Sequence, residues 1–367
     1  MISIEELLTV MVQRGGSDLH LSAGSPPRIR VDGILLNTEH DMLTPDMTQK
    51  LVYSFLSTEQ VAVFEKDFEL DLSFGIDGLG RFRVNVFLQR GTVAAVLRVI
   101  PYEIMSFSEL GLPVQVCESL CSLPKGLILV TGATGSGKST TLAAMLDYIN
   151  QNRSGHIVTV EDPIEFLHRN KNCLVNQREV GGDTHGFERA LKSVLRQDPD
   201  VVLVGEMRDL ETIEAALTLA ETGHLTFATL HTSDVTQTVN RIVDVFPAHQ
   251  QQQIRTMLSF TLQAVVCQQL VPRAQGKGRV LAAEIMIVNP AIRALIRDNK
   301  AHQIMSIIQT GGASGMKTMN QALFDLYRAG TVSYEDAIEH CGDEADFQRL
   351  MERASNGSAG ARRPASR

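Results

Sequence analysis

Apolar side chains follow two rhythms along this chain, and the rhythm changes near residue 126. From Gly126 onward, short unbroken apolar runs at 127–131, 157–160, 201–204 and 225–230 alternate with stretches whose apolar positions recur every three or four residues. Unbroken Val, Ile and Leu runs suit strands covered on both faces, and the longer period suits helices packed against them. The pattern predicts an α/β unit with a mostly parallel sheet and helices on both faces. Each run ends at a group able to do chemistry: a glycine-rich loop, Glu161-Asp162, Glu206 and His231. Ligands of open α/β sheets bind beyond the carboxyl ends of the strands, so these four ends are expected to line one crevice.

Before that point the texture differs. Short alternating stretches at Asp18–Ser22 and Arg28–Asp32, and longer ones at 80–89 and 92–100, read as strands of a small mixed sheet. Helical patterns at Ile4–Arg14 and Thr48–Phe55 interrupt them, which makes an α+β unit over residues 1–100. Pro101 ends the last strand, and 101–113 reads as a linker before a helix at Val114–Ser122. The α/β unit, 114–354, turns helical after residue 240, with helices at Gln250–Gln269, Ala291–Asp298, Met319–Tyr327 and Tyr334–His340 forming a bundle. Residues 355–367 contain no large apolar side chain and are expected to be disordered.

The first apolar run leads into Gly132-Ala133-Thr134-Gly135-Ser136-Gly137-Lys138-Ser139, followed by Thr140 and an amphipathic helix. A strand, this glycine-rich turn and a helix start form a cradle for the phosphates of a nucleoside triphosphate such as ATP. The glycines let backbone N–H groups point inward, Lys138 reaches the β- and γ-phosphates, and Ser139 can ligate Mg²⁺. Phosphoryl transfer to water further needs a carboxylate to orient the water and positive charge on the transition state. Glu206 is assigned the first role. An acidic residue usually stands at the strand end itself, where this chain has Gly205, so metal binding is expected to fall partly to Ser139 and to Glu161, Asp162 and Glu165. His231 reads as a sensor of nucleotide state, and His224, before the same strand, as structural. Arg83 and Arg98 lie on neighbouring strand patterns and gain a catalytic role only if their domain closes over a nucleotide. Arg293 and Arg297 stand one helical turn apart and repel each other, which calls for carboxylate partners or for contact with something outside the fold.

Composition narrows the classes without adding a site. The chain has 367 residues, 44% hydrophobic and 21% charged, enough for two ordinary globular domains. No apolar run approaches the roughly 20 residues that span a bilayer. The N-terminus lacks a basic leader, so a cytoplasmic address is expected. A net charge of −8 argues against a broad grip on DNA or RNA. Five scattered cysteines make neither a disulfide framework nor a four-ligand zinc site.

The loop at 132–139, Val-Glu-Asp-Pro-Ile-Glu at 160–165, Val-Gly-Glu-Met-Arg-Asp at 204–209, and Thr-Gly-His with Thr-Leu-His-Thr between 222 and 232 together resemble the secretion ATPase superfamily. Ser-Asp-Leu-His-Leu-Ser at 17–22 and Ile-Arg-Val-Asp-Gly at 29–33 resemble the opening of its type IV pilus retraction group. Ala291–Asp298 matches that group's signature Ala-Ile-Arg-Asn-Leu-Ile-Arg-Glu except at Ala294 and Asp298. The resemblance covers residues 1–345. It implies a PAS-like N-terminal domain and a RecA-like ATPase domain, assembled as a homohexamer. It further implies a motor that couples ATP turnover to pilus depolymerisation against a platform protein, peripheral to the cytoplasmic face of the inner membrane. In that family Arg83 and Arg98 would contact nucleotide, Glu161 would be the acidic-box glutamate and Glu206 the Walker B glutamate. Three alternatives stand beside this reading: an accessory retraction or assembly ATPase, a hexameric nucleic-acid translocase, and a scaffold that binds ATP without useful turnover.

Overall fold

A computed structural model describes residues 2–360 except 32, 77, 101, 102 and 277. The chain divides into two compact units, Met1–Glu103 with Glu165–Leu167, and Ile104–Ile164 with His168–Arg367.

The first unit opens with helix Ile4–Gln13, started by a reciprocal cap in which the Ser3 hydroxyl accepts from the Glu6 N–H and the Glu6 carboxylate accepts from the Ser3 N–H. Strands β1 (Asp18–Leu21), β2 (Arg28–Val31), β3 (Ile34–Asn37), β4 (Glu69–Ile76), β5 (Gly80–Gln89) and β6 (Thr92–Ile100) form one sheet in the order β3-β2-β1-β6-β5-β4. Every pairing is antiparallel, so the sheet is not the mixed one expected. Alternation along β5 sends Phe82, Val84 and Val86 into the core with Leu7, Leu8, Met11 and Leu97, and leaves Arg83 and Asn85 outside. Three elements have no counterpart among the expected ones: β3, helix Thr58–Asp67 and β4. Phe64 is the sole buried side chain of that helix, which leaves almost no apolar period to detect.

The second unit holds the sheet expected from the apolar runs, with additions. Its strands are β7 (Gly126–Thr131), β8 (His156–Glu161), β9 (Leu174–Glu179), β10 (Val201–Val204), β11 (Leu225–Leu230), β12 (Leu262–Pro272) and β13 (Arg279–Ile287). The order is β13-β12-β7-β11-β10-β8-β9, parallel throughout except for the β12–β13 pair. Val201–Val204 and Leu225–Leu230 coincide with their predicted bounds.

Three expectations need correction here. The helix expected over Gln250–Gln269 stops at Thr261, and the chain enters β12 at Leu262, because Leu262-Gln-Ala-Val-Val-Cys is an apolar run that periodicity alone cannot assign. The segment taken as a linker is largely part of the second unit: helix Phe107–Leu110 carries its own Ser106–Glu109 cap, and Phe107 and Leu112 are buried with Cys117, Leu120, Ile128 and Leu142. Pro101 and Tyr102 lie outside the described residues. The helix begun at Glu344 runs to Gly360, into the stretch expected to be disordered, since adding residues to an existing helix is far easier than nucleating one. Residues 361–367 lie outside the described residues.

Candidate nucleotide site

The loop Gly132–Gly137 joins β7 to helix Lys138–Asn152, and two features of the backbone require glycine there. Gly132 has φ +140°, and a Cβ at this position would stand 2.4 Å from the Gln268 carbonyl oxygen and 2.6 Å from Ser136 Oγ. Gly137 caps the helix at φ 90°, in the left-handed region. Lys138 is buried, with Nζ donating to the carbonyls of Gly132 at 2.9 Å and Ala133 at 3.1 Å. Ser136 Oγ is buried with no hydrogen-bond partner among the described residues, an orphaned hydroxyl inside the turn that a phosphate oxygen would satisfy. Ala133 and Thr134 are exposed at the outer side of the turn, while Ser139 and Thr140 are half-buried in the first turn of the helix.

β12 braces this loop. It pairs with β7 up to Cys267 opposite Thr131, and the next residue, Gln268, donates from Nε2 to Thr141 Oγ1 at 2.7 Å in a fully buried contact. Gln268 was invisible to the sequence reading because its segment was read as helix. A Gln-Gln pair inside an apolar strand run was the available signal.

The other strand ends follow in order along the sheet from this loop. β11 lies beside β7, β10 beside β11 and β8 beside β10. Glu161, at the end of β8, is buried, and its Oε1 accepts from Thr159 Oγ1 at 2.6 Å and Gln177 Nε2 at 3.3 Å. Asp162 and Glu165 are exposed. After β10, Gly205 packs so closely on β8 that a Cβ would stand 3.1 Å from both the Val160 carbonyl oxygen and Glu161 Cα. No carboxylate fits there, and the acidic group is displaced to Glu206.

Glu206 is the centre of a triad with Arg208 and His231. Its Oε1 accepts from His231 Nε2 at 3.1 Å and lies 2.6 Å from Arg208 Nε. Burial pushes the Glu206 carboxyl up, but the Arg208 hydrogen bond and the charge of His231 outweigh it and hold the group below the usual carboxylate range. The sequence reading brought Glu206 and His231 to one crevice. It missed Arg208, although its place two residues after the glutamate was in view. His224 is structural, as read: Nδ1 meets the Leu219 carbonyl at 3.0 Å and Thr222 Oγ1 at 3.1 Å.

Glu284 on β13 was also missed. It is buried, and its two oxygens accept from the N–H groups of Val235 at 2.9 Å and Met319 at 3.3 Å, tying the helix that follows the His231 loop to the C-terminal helix Met319–Arg328. Burial raises its carboxyl above the ordinary range despite those two bonds.

Arg83 and Arg98 belong to the first unit and face each other across the β5–β6 ladder. Arg98 Nε lies 2.7 Å from Asp18 Oδ1, and both arginines are exposed. The outside contact offered for the pair Arg293 and Arg297 has a simpler answer at Arg293. Its Nη1 donates to the carbonyls of Ser259 at 2.7 Å and Phe260 at 2.9 Å, and Nη2 donates to Gln263 Oε1 at 3.2 Å. The guanidinium thus caps the last turn of helix Ala248–Thr261, where carbonyls lack partners. Arg297 Nε lies 3.7 Å from Asp298 Oδ1, a loose exposed pair.

Among the described residues no group of three or more His, Cys, Asp or Glu side chains is placed to hold a metal ion by itself.

The chain as a whole is similar to known proteins. The type IV pilus retraction ATPase PilT of Pseudomonas aeruginosa is 52% identical over 338 residues, 92% of this chain and 98% of its own length. The type IV pilus ATPase PilU of the same organism is 43% identical over 95% of this chain and 91% of its own. The crystal structure of the pilus retraction motor PilT with bound ADP superposes with a TM-score of 0.89 at 52% identity, covering 95% of this chain and all of that one. The fold is accordingly a RecA-like ATPase domain preceded by a PAS-like domain. With the family model for type II/IV secretion system proteins matching residues 1–339, the chain belongs to that family.

Proposed function

We propose that this chain is an ATP-hydrolysing motor that powers retraction of a type IV pilus. One observation carries the chemistry: the phosphate loop, Glu161, the Glu206–His231 pair and the buried brace at Gln268 meet at the carboxyl ends of adjacent parallel strands. The likeness to proteins named as retraction ATPases carries the biological role. The greater identity to PilT than to PilU, 52% against 43%, favours the principal retraction motor over an accessory one.

In this reading the loop N–H groups, Ser136 Oγ and Lys138 take the phosphates of ATP, and Glu206 accepts a hydrogen bond from the attacking water. Arg208 and His231 both engage one oxygen of Glu206, which keeps the carboxylate ionised and oriented. Mg²⁺, when bound with the nucleotide, neutralises phosphate charge, and Ser139, Glu161 and Asp162 would hold it, partly through water. Arg83 and Arg98 would supply positive charge to the transition state, and the working assembly is a homohexamer. The ring works at the inner membrane against a platform protein. No helix among the described residues is long and apolar enough to cross a membrane.

The test separates binding from chemistry. Glu206→Gln should bind a fluorescent ATP analogue within a few-fold of the parent and lose turnover by at least about a hundredfold, whereas Lys138→Ala should lose affinity. Substantial phosphate release by Glu206→Gln would remove Glu206 from the mechanism and promote Glu161.

A further inference from the structure

A second concentration of positive charge lies at the edge of the same sheet. Arg178 near the end of edge strand β9, with His185 and Arg189 beyond it, lines a surface cavity of about 320 Å³ that also includes Gly181, Asp183 and Thr184. Arg178 is fixed by Nη2, which donates to the Asp183 carbonyl at 3.2 Å, while its Nη1 is shielded from solvent and has no partner among the described residues. An unpaired buried guanidinium donor is costly, so an acceptor from outside the chain would relieve it.

The nearest acid does not supply that acceptor. Asp183 turns Oδ2 to the Glu179 N–H at 2.8 Å and makes no ion pair with either arginine. Arg189 is exposed and likewise has no ion-pair or hydrogen-bond partner among the described residues. The helix Phe187–Val194, which carries Arg189, starts on Gly186 without a side-chain cap, adding the positive end of its dipole. A carboxylate offers two acceptor oxygens to the pair of guanidiniums. A phosphate dianion presents enough oxygens for both.

The geometry points to a second anion site, formed by Arg178, His185 and Arg189, that takes a phosphoryl group, either as free phosphate or as the headgroup of an acidic lipid. It shares no residue with the phosphate loop, so it stands or falls separately from the ATPase reading.

Full-length protein carrying Lys138→Ala, which disables the loop, should still bind inorganic phosphate in a calorimetric titration at constant ionic strength. Adding Arg178→Gln and Arg189→Gln should weaken that binding by about tenfold or more. The lipid source is tested by co-sedimentation with phosphatidylcholine vesicles with and without phosphatidic acid. Capture by the acidic vesicles alone, lost in the arginine variants, would identify the headgroup as the source. Arg189→Gln alone serves as the variant if the double substitution unfolds, because Arg189 is exposed and unpaired. Absence of both phosphate and vesicle binding in the Lys138→Ala protein, or binding indifferent to the arginines, overturns the site. So does a loss of oligomeric mass in the arginine variants without any anion binding in the parent, which would make the cavity a seat for a neighbouring subunit's carboxylate.

Discussion

Glycine at position 205 shows how one missing side chain relocates a function. With Val160 O and Glu161 Cα each 3.1 Å from where a Cβ would stand, the strand end has no room for an acid, and the carboxylate appears one residue later, where His231 and Arg208 reach it. Placing the acid at the strand end should therefore fail. Gly205→Asp added to Glu206→Gln should restore no turnover and lower stability by about 1–3 kcal/mol through overpacking. Thermal melting and phosphate release measure the two effects, and recovered turnover would show that the crevice tolerates either register. Lys138, Glu161, Glu206 and His231 were legible in the sequence because each sits where an apolar run stops. Arg208 was in plain view without its meaning, since contact with Glu206 is a property of the folded chain.

At the scale of elements, legibility followed periodicity. Strands buried on both faces announced themselves, whereas β12 did not, because an apolar run adjoining a helix has no internal mark of where the helix stops. The mark is tertiary: Arg293, from a helix about thirty residues further on, caps the carbonyls of Ser259 and Phe260. The two arginines of that helix should then behave differently. Arg293→Ala removes charged hydrogen bonds from a helix end and should cost about 1.5–3 kcal/mol. Arg297→Ala touches only a loose exposed pair and should stay within about 0.5 kcal/mol. Denaturant unfolding of each variant distinguishes them, and equal effects would mean that the guanidinium of Arg293 is not the cap described.

The whole molecule divides at Glu103–Ile104 and not at a long linker. Phe107 and Leu112 are core residues of the second unit, so where a fragment begins decides whether it is stable. A fragment starting at Ile104 should exceed one starting at Val114 by at least about 3 kcal/mol, since the shorter one opens cavities where two large apolar side chains belong. Both should bind nucleotide and hydrolyse it poorly, for want of Arg83 and Arg98. Turnover per site equal to that of the full chain in the Ile104 fragment would return those arginines to the status of surface residues.

The brace at Gln268 sets a schedule as well as a shape. The phosphate loop ends by residue 139, yet its partner from β12 lies 127 residues downstream of Thr141, and the intervening chain must be made before the contact can close. At the ordinary pace of synthesis of about 5–20 residues per second, a ribosome takes roughly 6–25 s to cover that distance. A nascent chain in that interval carries the complete phosphate motif with β7 still lacking its β12 neighbour, so competence to grip a nucleotide arrives late in translation.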